Sequence, residues 1–431
     1  MLQILGLKIL TFVLRTFTRN SATALPGLIM ERYFSKILRR LCNSFEHVIF
    51  ITGTNGKTTT TRLLCHLLEE SGIEYVTNPS GSNMLRGIAS VLVEKANILG
   101  KIPEKYAIFE VEEATAPKLA EFLKPDCIVV TNLFRDQLDA YGEIDTTQRY
   151  LQQAIEKSNN PGLVLNGDDY RVSTLASSSA GQVTYITFDK EYTSYIKFEI
   201  PHDPERGYLK PELQKGKNTI TFTIKNIRVN SDLENTFDLI GTDKNGYNEI
   251  VMKVPGMFST FNAAAALLTY QNMCARSKGS LQAEILEKVS TFKPVFGRGE
   301  VIKYGKTRFQ ILLVKNPAGM NLNLHLLTPA PQKEAILFIL NDKIADGRDV
   351  SWIWDCDFNV LKQLGFENVF CAGDRRWDMT LRVSYEGMSV RKTFESLDEA
   401  VKAIEYLGLK KVYVLATYTS MRNFRDTMSE L

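Results

Sequence analysis

The sequence predicts an α/β protein: a central body on a parallel sheet, a β-rich insertion within it, and a smaller α/β unit at the carboxyl end. Three observations lead there. From residue 45 to about 170, apolar runs of buried-strand length alternate with helical patterns, the grammar of βαβ units. From about 183 to 255, short β-rich runs (TYITF, YIKFEI, TITFTI, FDLIG) are separated by Asp, Asn, Gly and Lys turns, which reads as an antiparallel insertion. Beyond Phe296-Gly297-Arg298-Gly299 the runs FQILLV, AILFIL, NVFCA and VYVLA again alternate with helical stretches. The expected units are a helical segment over 1–44, a central domain over 45–297 and a carboxyl-terminal domain over 298–431, in keeping with a chain of 431 residues at roughly 150 residues per domain.

The first element is an apolar run from Leu2 to Leu14. It carries Gln3 and Lys8 and is shorter than the ~20 residues a membrane helix needs. Its positive charges, Arg15 and Arg19, follow the run, the reverse of a signal peptide. It reads as an amphipathic helix that packs on the body or touches the membrane face. The composition is that of a globular protein, with 44% hydrophobic and 23% charged residues. A net charge of +3 gives no strong field for nucleic acid or membrane. The six cysteines form no C-x-x-C pair and the four histidines no H-x-x-x-H pair. This argues against a disulfide framework and a Cys-rich zinc site, and Cys65 and His66 read as packing residues.

The chain next runs His47-Val48-Ile49-Phe50-Ile51, a buried strand, into Gly53-Thr54-Asn55-Gly56-Lys57-Thr58, and then into a helix with Leu63, Leu64, Leu67 and Leu68 at helical spacing. Strand, glycine turn and helix are the setting of a phosphate-binding loop. Gly53 and Gly56 permit the tight turn and the close approach of N–H groups to phosphate. The helix N-terminus adds partial positive charge. Lys57 would reach the β/γ-phosphates and the Thr58 hydroxyl a magnesium ion. The spacing is G-x-x-G-K-T, with Ile51 where the longer motif has its first glycine. The bland alternative is a chance glycine turn before a helix.

Other polar motifs follow strands in the same way, where ligands gather in such sheets. Glu110 ends YAIFEV, and a carboxylate there suits Mg²⁺, which takes hard oxygens and keeps waters; otherwise it is a solvated acidic turn. Thr131-Asn132-Leu133-Phe134-Arg135-Asp136-Gln137-Leu138-Asp139 offers amides and carboxylates for a second substrate or a metal. Asn166-Gly167-Asp168-Asp169 is either another such cluster or only a turn. Asn262, at the start of an Ala-rich helix, would cap it or face a nucleotide base. Arg298 would place a guanidinium on phosphate or pair at the surface. In the last third, Lys315-Asn316-Pro317-Ala318-Gly319 follows a strand. Asp346 to Asp357 packs four aspartates and two tryptophans into twelve residues, which suggests a partner or ligand surface. No Ser-His-Asp or Cys-His set can be assigned within the chain.

Taken together, TGTNGKTTT, the Glu110 strand end, TNLFRDQLD, NGDD, GMFSTFNAAAA and FGRGE resemble the Mur ligase family in order and spacing. EVEEA, RDQLD, KNPAG, DGRDVSWIWD, GDRRWDMTLR and ATYTSMRNFR are similar to its MurT branch. The resemblance runs from about Ala24-Leu25-Pro26-Gly27 to the end. It implies a P-loop central domain of Mur ligase type and a Rossmann-like carboxyl-terminal domain. It further implies ATP held by Gly53, Thr54, Asn55, Gly56, Lys57, Thr58, Thr59, Asn262 (near adenine) and Arg298, with Mg²⁺ on Thr58 and Glu110. The catalytic residues it implies are Lys57, Glu110 and Asp349. The implied reaction is amidation of the α-carboxyl of D-glutamate in the stem peptide of lipid II, in the cytoplasm at the inner face of the membrane. It proceeds through an acyl phosphate, with ammonia from a GatD-like glutaminase partner. Asp349 is the residue expected to complete that partner's Cys-His pair, with Asp346 and Asp355 as rivals.

The chain also departs from its family. Many MurT proteins carry a four-cysteine zinc ribbon, but 170–255 has no cysteine, so zinc is expected to be absent. Gln137 stands where other Mur ligases have a histidine. Lys315-Asn316-Pro317 replaces the DYAHNP motif of amino-acid-adding enzymes, which favours ammonia as the nucleophile. The competing readings are a Mur or folylpolyglutamate-type ligase that adds an amino acid, and a non-catalytic nucleotide-binding scaffold for a glutaminase.

Overall fold

The computed structural model describes residues 6–9, 25–79, 82–134, 144–193, 202–203, 207–208, 211, 213–216, 218–230, 233–243, 245–274, 281–293, 298–327 and 335–431. The first strands are β1 (His47–Thr52), β2 (Tyr75–Thr77), β3 (Tyr106–Glu110), β4 (Cys127–Val130), β5 (Gly162–Asn166) and β6 (Val183–Phe188). They are followed by the short pair β7 (His202–Asp203) and β8 (Gly207–Tyr208), then β9 (Thr219–Val229), β10 (Asn235–Gly241) and β11 (Gly246–Met252). Nine of them form one sheet in the order β11-β10-β9-β6-β5-β4-β1-β3-β2. β1 is flanked by β3 and β4, both parallel to it. From β1 the chain goes to the edge strand β2, returns to β3 beside β1, then crosses to β4 and winds outward through β5 and β6; this change of side at β1 opens a crevice at the strands' carboxyl ends.

β1 illustrates why these residues form a central strand. Val48 and Phe50 point into one core, and Ile49 and Ile51 into another. A strand buried on both faces needs such an unbroken apolar run. One core is closed by helices Leu25–Tyr33, Ser35–Cys42, Leu85–Lys95, Ala116–Leu123 and Ile144–Lys157. The other is closed by helices Lys57–Glu69, Met257–Cys274 and Leu281–Thr291.

The β-rich stretch differs from its sequence reading. β6 is parallel to β5, and β9 is parallel to β6; β7 and β8 form a separate antiparallel pair, and β9, β10 and β11 an antiparallel meander. These strands extend the central sheet, because their apolar faces (Phe222, Ile224, Phe237, Leu239) join the core beneath helix Met257–Cys274. YIKFEI lies outside the described residues.

The second sheet contains β12 (Arg298–Tyr304), β13 (Thr307–Leu313), β14 (Ala335–Ile339), β15 (Asn368–Ala372), β16 (Lys392–Thr393) and β17 (Lys411–Ala416). Its order is β12-β13-β17-β14-β15-β16. All neighbours are parallel except β12 and β13, and apolar clusters cover both faces. Among the described residues no helix is long and apolar enough to cross a membrane.

Asn166-Gly167-Asp168-Asp169 is a brace between strand ends. The Asn166 amide donates to the Thr131 carbonyl, and Asp168 accepts from the Phe188 N–H. Asp169 caps the short helix Tyr170–Thr174 through the N–H groups of Arg171 and Val172 and accepts from the Leu133 N–H at 2.7 Å. Replacing Asp169 by Ala removes the cap and leaves a buried donor unpaired, so Asp169→Ala should lower stability by roughly 2–4 kcal/mol, read by urea denaturation. An unchanged midpoint would contradict this role.

Candidate functional site

The turn after β1 is built by two glycines and one asparagine. Gly53 has φ +117°, and a Cβ there would lie 2.4 Å from the Thr131 hydroxyl oxygen. Gly56 has φ +95°, and a Cβ there would lie 2.3 Å from Asn262 Oδ1. Neither position admits a side chain. Asn132, at the end of β4, clamps the turn: its carbonyl accepts from Thr54 N–H (2.8 Å) and its Oδ1 from Asn55 N–H (2.9 Å). Its Nδ2 donates to the Asn55 carbonyl (3.0 Å), as does the Thr131 hydroxyl (2.7 Å). Asn132 therefore shapes the loop and is not placed to order a second substrate. Arg135 to Asp139 lie outside the described residues.

Gly53 N–H donates to Glu113 Oε1 (3.0 Å). The N–H groups of Gly53, Thr54 and Asn55 thus all face the protein, in contrast to the sequence reading. The N–H groups directed outward belong to the helical turn that begins at Gly56, since the first N–H groups of a helix have no intrahelical acceptor.

Lys57 is buried, and its Nζ donates to the Gly53 carbonyl (2.7 Å) and to Glu113 Oε1 (2.8 Å), with Glu112 Oε2 at 4.0 Å. Burial alone would lower its pKa, but the carboxylates of Glu113, Glu112 and Glu110 outweigh it and hold the lysine charged. Burial likewise works against ionisation of Glu113, yet Lys57 keeps its pKa below the usual carboxylate range. Glu112 goes the other way, raised by burial and by its like-charged neighbour Glu113. Glu113 is the main residue the sequence reading missed as a partner of the loop. Its pairing follows from register: Ile51 lies opposite Glu110, so the residues just past β3 meet those just past β1. Nothing in a linear reading signals this.

Glu110 ends β3 and is buried; Asn78 fixes its backbone by accepting from its N–H (2.9 Å) and donating to its carbonyl (2.9 Å). Asn262 lies inside helix Met257–Cys274, more than a turn from its start, so it is no cap. It is 5% exposed, and its Oδ1, beside Gly56, has no hydrogen-bond partner. Arg298 opens β12, paired with Leu312 on β13; Gly299, next to it, has φ +89° and abuts the Pro255 ring. His66 packs as expected, its Nε2 bonded to the Lys288 carbonyl and the Thr291 hydroxyl.

A cavity of about 270 Å³ brings most of these residues together. Residues 54–59, Glu110, Glu112 and Asn262 line it from the larger sheet and its helices, and Gly299, Lys315, Gly319 and Asn323 from the smaller. Asn316 caps helix Pro317–Leu326 through the Gly319 N–H (2.9 Å) and accepts from Asn55 Nδ2 at 3.4 Å. Thr58 and Glu110 present hydroxyl and carboxylate oxygens there. Among the described residues no group of three or more His, Cys, Asp or Glu could hold a metal alone. The donor set fits a cation that completes its shell with phosphate and water, as Mg²⁺ does.

Asp349 lies away from this cavity. It is exposed and accepts from the Ser351 N–H (2.8 Å) and hydroxyl (2.9 Å), which lower its pKa. Asp355 is also exposed. Asp346 is not a rival: it is buried and accepts from Thr419 N–H (2.7 Å), from the Thr419 hydroxyl and from Lys343 N–H (3.2 Å). Beside Asp349 and Asp355 lies an apolar face. Trp354 meets Tyr385 edge-on at 5.4 Å, and Trp377, Leu381 and Tyr385 are all exposed on one helix. Arg382 anchors the segment, donating to the carbonyls of Ile353 (3.1 Å) and Cys356 (2.8 Å).

Residues 51–270 match the Mur ligase middle domain and residues 313–421 the MurT ligase C-terminal domain. The chain is 30% identical to the lipid II isoglutaminyl synthase (glutamine-hydrolyzing) subunit MurT of Streptococcus pneumoniae, over 97% of this chain and 94% of that one. This chain belongs to the MurT family of Mur ligase-type proteins. Two solved structures share the fold. MurF from Acinetobacter baumannii superimposes with TM-score 0.65 at 14% identity, covering 92% of this chain and 79% of that one. Mycobacterium tuberculosis folylpolyglutamate synthase, solved with ADP and AMPPCP, gives 0.63 at 15%, covering 91% and 93%. This MurT-type chain is an ATP-dependent ligase by family, and the Lys57–Glu113 pair sits in the matched middle domain.

Removing one partner of a buried ion pair strands the other charge, at a cost of roughly 3–5 kcal/mol. Glu113→Gln should therefore lower the denaturation midpoint by that equivalent, measured without nucleotide. A midpoint equal to the parent's would show that the pair contributes nothing.

Proposed function

We propose that this chain is the synthetase subunit of a glutamine-hydrolysing lipid II isoglutaminyl synthase. The near full-length match to a MurT subunit carries this reading. The reaction would activate the α-carboxylate of D-glutamate in the stem peptide. A carboxylate oxygen attacks the γ-phosphorus of ATP, the bond to the ADP oxygen breaks, and an acyl phosphate forms. Ammonia then attacks the acyl carbon, phosphate leaves with the C–O electron pair, and a proton is lost to give D-isoglutamine.

The residues divide this work. The first helical turn from Gly56 and the Lys57 ammonium face the charge that shifts on the γ-phosphate. Thr58 and Glu110 are the residues that would hold Mg²⁺, which supplies charge neutralisation when bound. The unpartnered Asn262 oxygen is an acceptor for an adenine amine. Arg298 at the junction of the two sheets is assigned to phosphate. Lys315, brought to the cavity from the smaller sheet, lies where the carboxylate and ammonia would meet. Closure between the sheets would align the reactants and exclude water, which otherwise hydrolyses the acyl phosphate.

Ammonia would come from a GatD-like glutaminase docked on the face of Trp354, Trp377, Leu381 and Tyr385. Aromatic anchors beside exposed carboxylates are the composition of a protein interface. Asp349, ionised and accessible, is the residue assigned to orient the partner's histidine.

The test is to purify the chain with a GatD-like glutaminase and supply ATP, Mg²⁺, glutamine and lipid II. Amidated lipid II is expected; ligation of free amino acids in its place would overturn the reading. Lys57→Ala should cut amidation roughly 100-fold or more while glutamine hydrolysis by the complex persists. Amidation that survives Lys57→Ala, with glutamine hydrolysis still supported, would point to a non-catalytic scaffold. Asp349→Asn should do the opposite, abolishing glutamine hydrolysis but leaving amidation from added ammonia near the parent rate; unaltered hydrolysis would exclude Asp349.

A further inference from the structure

The face opposite the nucleotide cleft carries a feature that the reaction does not use. Residues 97–101 form a closed turn, with Asn97 N–H bonded to the Lys101 carbonyl (2.8 Å) and Gly100 N–H to the Asn97 carbonyl (2.9 Å). At its tip Ile98 and Leu99 are 57% and 56% exposed. Beside it a shallow cleft is lined by Lys36, Arg39, Arg40 and Lys101, with Asn43 and Ser44 but no carboxylate. Among the described residues Lys36, Arg40 and Lys101 have no ion pair, and Arg39 stacks on the Phe122 ring at 4.8 Å. Carboxylates of the same region are engaged: Glu46 with Lys105 (2.8 Å), Glu104 with Lys95 (3.5 Å) and Glu121, whose charge is felt by Arg39, with Lys157 (2.6 Å). The amino-terminal segment reaches the same corner. Lys8 donates to the Glu94 carbonyl (2.8 Å), Leu7 is buried, and Ile9 is 56% exposed.

Two apolar side chains held at a turn's tip, ringed by unpaired cations, have no role in a water-facing loop. A charged helix face is ordinarily just solvated; the clustering of basic groups around an apolar tip is what separates this one. Cations near an anionic bilayer are attracted by its surface potential, while apolar residues enter the headgroup boundary. We infer that this corner is a docking face for an anionic lipid bilayer, with Ile98 and Leu99 inserting and Lys36, Arg39, Arg40 and Lys101 on the headgroup phosphates.

The orientation suits a lipid-anchored substrate, a point that rests on the proposed function. A second cavity runs along helix Lys57–Glu69. It is lined by Glu94 and Lys95 near this corner and by Thr58 and Glu110 at its inner end. A headgroup presented at the bilayer would thus have a path to the two residues assigned to Mg²⁺.

The test is co-sedimentation of the full chain with vesicles of phosphatidylglycerol and phosphatidylcholine, against phosphatidylcholine alone, at fixed salt. Binding is expected only to the anionic vesicles. Lys36→Glu/Arg40→Glu/Lys101→Glu should lower the partition coefficient on the order of 100-fold, about fivefold per cation. Ile98→Ser/Leu99→Ser should lower it roughly tenfold or more. Both sets leave thermal stability and amidation of detergent-dispersed lipid II unchanged. Absence of binding by the parent, equal binding to neutral vesicles, or retention by duplex DNA in preference to vesicles would overturn the inference. Full binding by both variants would do the same, because attachment would then lie in the first residues of the chain. In each case the detergent assay reports separately on the ligase reading.

Discussion

The Lys57–Glu113 ion pair fixes the phosphate loop from the inside, and the strands around it are arranged to hold its two ends. Lys57 comes from the turn after β1 and Glu113 from just past β3, so the pair forms only if those strands lie side by side in register. The same carboxylate accepts the Gly53 N–H, so one group neutralises the lysine and sets the turn. Asn132, from the third neighbouring strand, completes the clamp. The lysine is therefore charged, buried and aimed before any phosphate arrives, which lowers the ordering cost of binding an anion there.

The smaller sheet approaches the loop without being locked to it. The Asn55–Asn316 contacts, at 3.4 and 3.5 Å, are at the limit of hydrogen-bond geometry and part at little cost. The cavity they border, about 270 Å³, is below the ~300–1000 Å³ of ordinary small-molecule sites. Under the proposed reaction, closure between the two sheets would bring Lys315 up to the loop that Glu113 and Asn132 hold.

Much of this was legible in the sequence because it depends on local chemistry. Buried parallel strands show as unbroken apolar runs, and the glycine turn announces itself through Gly53 and Gly56. What was not legible depends on which strands become neighbours. Glu113 as the partner of Lys57, Asn132 as a clamp, and Asp169 as a brace all follow from the order β5-β4-β1-β3. Asp346 looked equivalent to Asp349 in a cluster of four aspartates; only the fold turns it inward to Thr419. β6 read as part of an insertion because its alternation resembles that of the meander, whereas its partners make it a parallel strand of the main sheet.

The central claim is that the loop, the residues proposed to hold magnesium and Lys315 serve one reaction, in which ammonia captures an activated carboxylate. Ammonia-dependent ATP turnover by the chain, with and without lipid II, tests it most directly. ADP formation should require both lipid II and ammonia, in step with amidated product. ATP hydrolysis indifferent to lipid II, or product formation that needs a free amino acid, would contradict it.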